Sequence, residues 1–359
     1  MNRSGAMNQE VELLRELVRI ASPSTQEQAA SAYLVDAMRV RGYDEAFVDA
    51  AGNAVGIWGR GEREVVLLGH IDTVPGHIPV RQEGDLLYGR GSVDAKGPLA
   101  CFVSAVARLP KSDTCRLVVV GAVEEEAASS KGARHVIGKY HPECFIIGEP
   151  SQWQAVTLGY KGRLLVDYTL CHDMSHSAGQ LASGPEIAVE FWNTLTRHAA
   201  VYNEGRAVFD TLDTSLRSMQ TASDGLQEVV TQRIGLRLPL DYDVTALQTY
   251  LCAQARAATL HFSGYEIAHK SDKRNPLVKA FLKAIREHGG DPKFKVKTGT
   301  SDMNVLAPHW RCPVVAYGPG DSALDHTPHE HISLQEYCHA IDVLTRVLHL
   351  LIEASPAAA

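Results

Sequence analysis

Hydrophobic positions recur along this chain in two textures. Val11, Leu14, Leu17 and Val18 return every three or four residues, which predicts an amphipathic helix over 10–20. Ser22-Pro23-Ser24 breaks the pattern, and Tyr33, Leu34, Ala37 and Met38 restore it over 26–41, with Gly42 as the stop. Short β-branched runs then predict strands at 46–48, 54–58, 65–68, 116–120 and 144–147. Between them, 98–109 and 130–140 read as helices.

Strand and helix in alternation is the α/β pattern. Each charged motif in this part of the chain stands at the carboxyl end of a strand, where an open sheet places its ligand. From about Gln154 the texture changes. Long alternating segments at 162–170 and 229–238 are accompanied by helices at 185–199 and 244–257, and no further catalytic cluster appears. A helix at 275–288, a strand at 314–317 and a last helix at 334–352 return to the first texture. The reading is a discontinuous metal-binding domain over 1–154 and 270–359, interrupted by an α+β domain over 155–269.

Composition narrows the class. A length of 359 residues exceeds what one core usually organises, and 45% hydrophobic with 21% charged residues is ordinary for a soluble protein. The net charge of -7, with no basic block, argues against a nucleic-acid binder. Seven scattered cysteines without a CxxC pair suit reduced thiols in the cytoplasm. No run reaches transmembrane length and no apolar leader opens the chain, so neither membrane insertion nor secretion is expected.

The chemistry concentrates in five places. His70 and Asp72, one residue apart in an extended segment, lie on the same side, where one can bind a metal and the other orient it. Asp94 follows in a loop rich in glycine (Gly89, Gly91, Gly97). Glu124-Glu125-Glu126 is a run of like charges that is costly beside Asp72 and Asp94 unless cations hold it. Glu149 is set between Gly148 and Pro150, and His326 lies in DHTPHE.

Histidine with carboxylates suits two Zn²⁺ ions, with Co²⁺ as a substitute, in a catalytic site. One ion takes His70 and Glu149 and the other Glu126 and His326, with Asp94 bridging. Glu125 is left as the general base, and Asp72 fixes the tautomer of His70. Three carboxylates offset most of the charge of two divalent ions. GRGSVDAKG is not a full GxGxxG fingerprint, so a nucleotide enzyme is disfavoured. A catalytically silent metal-binding scaffold would lack a base or a ligand.

The series GHIDTVP, YGRGSVDAKG, VEEE, IIGEP and ALDHTPHEH resembles the di-zinc aminoacylase and carboxypeptidase family that includes acetylornithine deacetylase, succinyl-diaminopimelate desuccinylase and glutamate carboxypeptidase. The resemblance implies a zinc-exopeptidase-like catalytic domain with a mixed sheet flanked by helices, and an inserted lid domain that makes a homodimer. The family's D-E-E places the base before the ligand. Here a glutamate takes the first place, so a register of Glu124 and Glu125 is the alternative to Glu125 and Glu126.

His176 in MSHSAG resembles the lid histidine that reaches the partner subunit's site, with His172 as its rival. Arg237 in RLPL is similar to the lid arginine that grips a substrate carboxylate. GYKGR, EEEAASSKGAR and KTGTSDMNV resemble the branch that releases lysine or ornithine from the amino-group carrier protein LysW. The implied reaction cleaves the amide between the carrier's terminal γ-carboxyl and the product's α-amino group. Lys297, Thr300 and Ser301 are candidate ligands for the product carboxylate. Asp302 either meets a basic side chain or caps the next helix. Removal of an acetyl or succinyl group from a small amino acid, or dipeptide cleavage, is the competing activity.

Overall fold

A computed structural model describes residues 3–174, 176 and 181–353, with side chains from Met7 onward. The chain falls into two compact units. The first runs through Gly159 and resumes over Ser271–Val296 and from Ser301; the second is Tyr160–Lys270 with Lys297–Thr300.

The first unit is built on a mixed sheet. Strand Arg63–His70 lies parallel to Cys115–Ala122 on one side and to Cys144–Gly148 on the other, and Val314–Tyr317 continues the parallel set beyond Cys144–Gly148. Antiparallel strands Ala54–Trp58 and Glu45–Val48 extend one side, and Ala155–Tyr160 the other. The strand Ala155–Tyr160 belongs to this sheet, although its residues read from the sequence as the start of the inserted domain.

The parallel strands are apolar throughout because both faces are covered. Val65, Val66, Leu67 and Leu68 are all fully buried, and each contributes about 1.5–3 kcal/mol by leaving water. Helix Lys96–Ala107, buried from Lys96 through Val106, packs against Leu334–Glu353 and Arg3–Arg19. Helices Lys131–Val136 and Asp302–Trp310 pack on each other and on Cys115–Ala122 and Val314–Tyr317 respectively.

A separate three-stranded sheet pairs His331–Ser333 with Leu86–Tyr88, and Leu86–Tyr88 with Arg81–Glu83. It is short, but it joins segments about 240 residues apart in the chain.

The second unit is α+β. Its sheet runs in the order Asp213–Ser223, Gln227–Leu238, Gly162–Asp173, Thr259–Glu266, all antiparallel. Alternate residues Leu164, Val166, Tyr168 and Leu170, with Val230, Ile234 and Leu236, meet Phe191 and Leu195 of helix Gly184–Asn203 and Leu247 and Leu251 of Val244–Ala255. Ser183 and Glu186 form a capping box at the first of these helices, and Asp243 caps the second.

Candidate metal centre

Strand register decides which motifs meet. His70 is opposite Ala122, Gly69 is opposite both Gly121 and Gly148, and Gly148 is opposite Tyr317. The residues that follow these strand ends, Asp72, Glu124 to Glu126, and Glu149, therefore emerge along one edge of the sheet. Gly69 and Gly148 keep neighbouring strands close: a Cβ on Gly148 would stand 2.9 Å from the Gly69 Cα. The remaining two residues arrive by the three-stranded sheet. Its pairing of His331 with Tyr88 sets the loop that precedes one against the loop that follows the other, and so brings His326 to Asp94.

Asp94 occupies the middle of the cluster. Its Oδ1 lies 3.1 Å from His70 Nε2 and its Oδ2 lies 3.0 Å from His326 Nε2. His326 Nε2 is also 2.9 Å from Glu126 Oε1. Glu149 stands farther off, with Oε1 at 4.0 Å from His70 Nε2. Among the described residues, two groups offer ligand atoms within 4.8 Å of one another: His70 with Glu125 and Glu126, and Asp94 with Glu126 and His326. Two ligands of one tetrahedral zinc with bonds of about 2.0–2.1 Å lie roughly 3.3 Å apart, so the separations around Asp94 are those a divalent ion would need.

Electrostatics points the same way. Burial would raise the pKa of Asp94, but His326 and His70 hold it far below the usual carboxylate range. Hydrogen bonds to Asp94 and then Glu126 push His326 up to about 10. Burial works against charging His70, yet its contacts with Asp72 and Asp94 and the charge of Glu125 keep its pKa well above the ordinary value. Glu125 is raised well above a normal glutamate, first by burial and then by the charges of Asp302, Glu149 and Glu126, against the pull of His70. A site that favours positive charge so strongly on its histidines is suited to cations, and oxygen and imidazole donors without cysteine suit a hard to borderline divalent ion.

The surrounding backbone explains why the glutamates stand where they do. Asp72, fully buried, accepts the amide of Glu125 on Oδ1 and that of Glu126 on Oδ2, each at 3.0 Å, and a hydroxyl from Ser24 at 2.7 Å. Its carboxylate is 3.6 Å from His70 Nδ1, whereas its backbone carbonyl is 3.0 Å from the same nitrogen. The Asp72 carbonyl, which can only accept, is therefore the nearer partner of Nδ1 and orients the ring, with the carboxylate farther off. Glu124 turns elsewhere: its carboxylate accepts from Ser129 Oγ at 2.8 Å and pairs with Lys131 at 3.3 Å.

Several contributors have no local motif to announce them. Glu27 accepts the amide of Glu124. Asn53 accepts the amide of Val123 and donates to the Gly132 carbonyl, both at 3.1 Å. Glu330 accepts the amides of Val93 and Asp94. Asp302 does not cap its helix. Ser301 does, accepting from Met303 and joined by Asn304 in a capping box, while Asp302 sits buried in the first turn, near enough to raise Glu125.

In the second unit, Arg237 Nη1 donates to Thr300 Oγ1 at 2.6 Å, and Thr300 donates to the Lys161 carbonyl. The Lys297 ammonium lies 5.8 Å from the centroid of the Tyr160 ring. His172 is half-buried on strand Gly162–Asp173, opposite Glu228, and His176 is exposed beyond it. Among the described residues, no helix is long and apolar enough to cross a membrane.

A mixed sheet whose carboxyl edge gathers histidines and carboxylates around one shared aspartate defines a metal-dependent hydrolase. The chain belongs to peptidase family M20/M25/M40, whose model matches residues 66–350. It is 47% identical over 355 residues to the [LysW]-lysine hydrolase of Deinococcus radiodurans, covering 95% of this chain and 96% of that one. It is 30% identical to the [LysW]-lysine/[LysW]-ornithine hydrolase of Sulfurisphaera tokodaii, over 93% and 95% of the two chains. An M20 family metallo-carboxypeptidase from Sulfolobus solfataricus shares the fold with a TM-score of 0.79 at 17% identity, covering 98% of this chain and 100% of that one. Human carnosine dipeptidase 1 does so with a TM-score of 0.75 at 16% identity, covering 97% of each. The chain is an enzyme of amide hydrolysis, and its family implies divalent metal ions.

Proposed function

We propose that this protein releases lysine, ornithine or both from the γ-glutamyl C-terminus of the carrier protein LysW, in the cytoplasm, on a route to lysine or arginine. The near-full-length likeness to the Deinococcus radiodurans hydrolase is the observation that carries this reading of the substrate. The Asp94 carboxylate, with one oxygen toward each histidine, supports a centre of two Zn²⁺ ions, replaceable by Co²⁺. His70 and Glu149 would hold one ion and Glu126 and His326 the other, with Asp94 shared. When bound, such ions polarise the scissile carbonyl and favour ionisation of water.

The chain's own groups supply the rest. Glu125 takes the proton of the attacking water on a carboxylate oxygen and hands it to the nitrogen of the leaving amine. Its partial burial among other carboxylates raises its proton affinity, the direction a general base needs. The Asp72 carbonyl keeps the proton of His70 on Nδ1, so that Nε2 faces Asp94. In the second unit, which we assign as the lid and dimerisation domain, Arg237 is held by Thr300 and presents a fork suited to a substrate carboxylate. Lys297, Thr300 and Ser301 complete the set of proposed product contacts, and His176 is assigned to the scissile carbonyl of the partner subunit's substrate.

The test compares kcat/KM on LysW carrying C-terminal γ-glutamyl-lysine or γ-glutamyl-ornithine with that on N-acetylornithine and N-acetyllysine. Preference for the carrier-linked amides is expected. Preference for the acetylated amino acids would make the protein a deacetylase of the same family.

A further inference from the structure

Glu330 is fully buried, yet it lies outside the proposed ligand set. Among the described residues, its hydrogen bonds serve the loop of Asp94. Oε1 accepts the amides of Val93 at 2.9 Å and Asp94 at 3.1 Å, and Oε2 accepts from Arg90 Nη1 at 2.8 Å. Its own carbonyl accepts the amide of Gly89 at 3.3 Å. Arg90 in turn donates to the Gly76 carbonyl. The residue after Glu330 pairs with Tyr88, the residue before Gly89. His326, four positions upstream of Glu330, thus shares a loop with the group that grips the backbone of Asp94.

We propose that Glu330 is a positioning residue for the metal centre, whose carboxylate locks the Asp94 loop to the His326 loop and so sets the separation of the ligands that the two loops carry. This rests on the di-metal reading above. The chemistry requires a carboxylate. A glutamine would keep an oxygen for the two amides, but its NH₂ would then face the Arg90 guanidinium, donor against donor, in a place closed to water. The loops would lose one of their ties, and Arg90 its counter-charge. Groups that hold ligands in this way alter metal affinity by about 10–100-fold when replaced.

The full-length protein and Glu330→Gln are stripped of metal and titrated with Zn²⁺ against a chromophoric chelator. The visible absorption of the Co²⁺-loaded proteins and the melting temperature of the stripped ones are recorded alongside. Zn²⁺ binding weakened by about 10–100-fold, a changed Co²⁺ band and a melting temperature lowered by no more than about 10 °C are expected. Turnover by Glu330→Gln should recover in excess Zn²⁺.

Unchanged Zn²⁺ affinity and an unchanged Co²⁺ band in the folded variant would overturn the proposal. So would a large loss of melting temperature with affinity preserved, which marks a structural role alone. If Glu330→Gln does not fold, Arg90→Gln decides. It leaves both amide bonds in place and is expected to weaken Zn²⁺ binding several-fold; equal affinity would refute the idea. A parent protein that takes up no Zn²⁺ would instead sink the metal reading itself, before any variant is compared.

Discussion

Asp72 and Glu125 are joined through the backbone: the Asp72 Oδ1 accepts the Glu125 amide at 3.0 Å, while Oδ2 accepts that of Glu126. One buried carboxylate therefore aims two consecutive glutamates, and its carbonyl orients His70 as well. Asp72→Asn keeps the shape but turns one acceptor into a donor that confronts an N–H. Leaving a buried amide without its acceptor costs about 1–3 kcal/mol. A matching fall in stability by urea denaturation, with kcat down at least about 100-fold, is expected. Normal turnover would mean that the glutamate turn holds its shape unaided.

Glu125→Gln separates base from ligand. The Glu125 side chain is proposed to move protons and not to hold an ion, so the variant should keep the parent's metal content while kcat falls by about 10²–10⁴-fold. Glu124 is engaged with Ser129 and Lys131, away from the cluster. Glu124→Gln should therefore stay active. The reverse pattern would shift the register by one residue and make Glu124 the base.

What could be read from the sequence follows from where the information is local. The parallel strands were legible because a strand covered on both faces must be apolar throughout, and Val65 to Leu68 and Cys144 to Ile147 are. Strand Asp213–Ser223 is not legible because it is an edge strand with mostly exposed residues and no apolar alternation. Leu86–Tyr88 and His331–Ser333 have three residues each, too few to show a period, yet they bring Asp94 and His326 together. Histidines and acids at strand ends could be nominated as ligands from their type and setting. Glu27, Asn53 and Glu330 could not, because each acts by accepting the amide of a residue distant in the chain.

Gly132 tests the support beneath the glutamate turn. A Cβ there would come within 2.4 Å of Asn53 Oδ1 and 2.5 Å of the Val123 amide. Gly132→Ala must push Asn53 out of its place between Val123 and the Gly132 carbonyl. Overpacking of this kind costs about 1–3 kcal/mol, and the lost hydrogen bonds add to it. A lower melting temperature together with reduced kcat is expected. A parent-like melting curve would show that the turn does not depend on Asn53.

His326 is the half-exposed member of the cluster and lies within 3.0 Å of Asp94 and of Glu126. If it completes the second ion's ligands, His326→Ala should lower bound metal by about one ion per chain, measured by elemental analysis after gel filtration. His70, buried against Asp94, would retain the other ion. An unchanged stoichiometry would remove His326 from the ligand set.

Glu336 allows a test of burial against hydrogen bonding away from the centre. Its Oε1 accepts the amides of Trp153 and Gly320, each at 3.1 Å, which favours the charged form. Burial outweighs them and raises its pKa, and the charge of Asp321 adds to the rise. A carboxyl whose folded-state pKa is raised opposes folding when ionised. That penalty is complete above the folded pKa and disappears below the unfolded one. Glutamine keeps an oxygen for both amides and carries no charge. Glu336→Gln should therefore be more stable than the parent at pH 8, with the advantage shrinking as the pH falls toward the ordinary glutamate value. Urea midpoints at both ends of that range decide it. A variant less stable than the parent at pH 8 would mean that the amide bonds to a charged oxygen outweigh the cost of burying it.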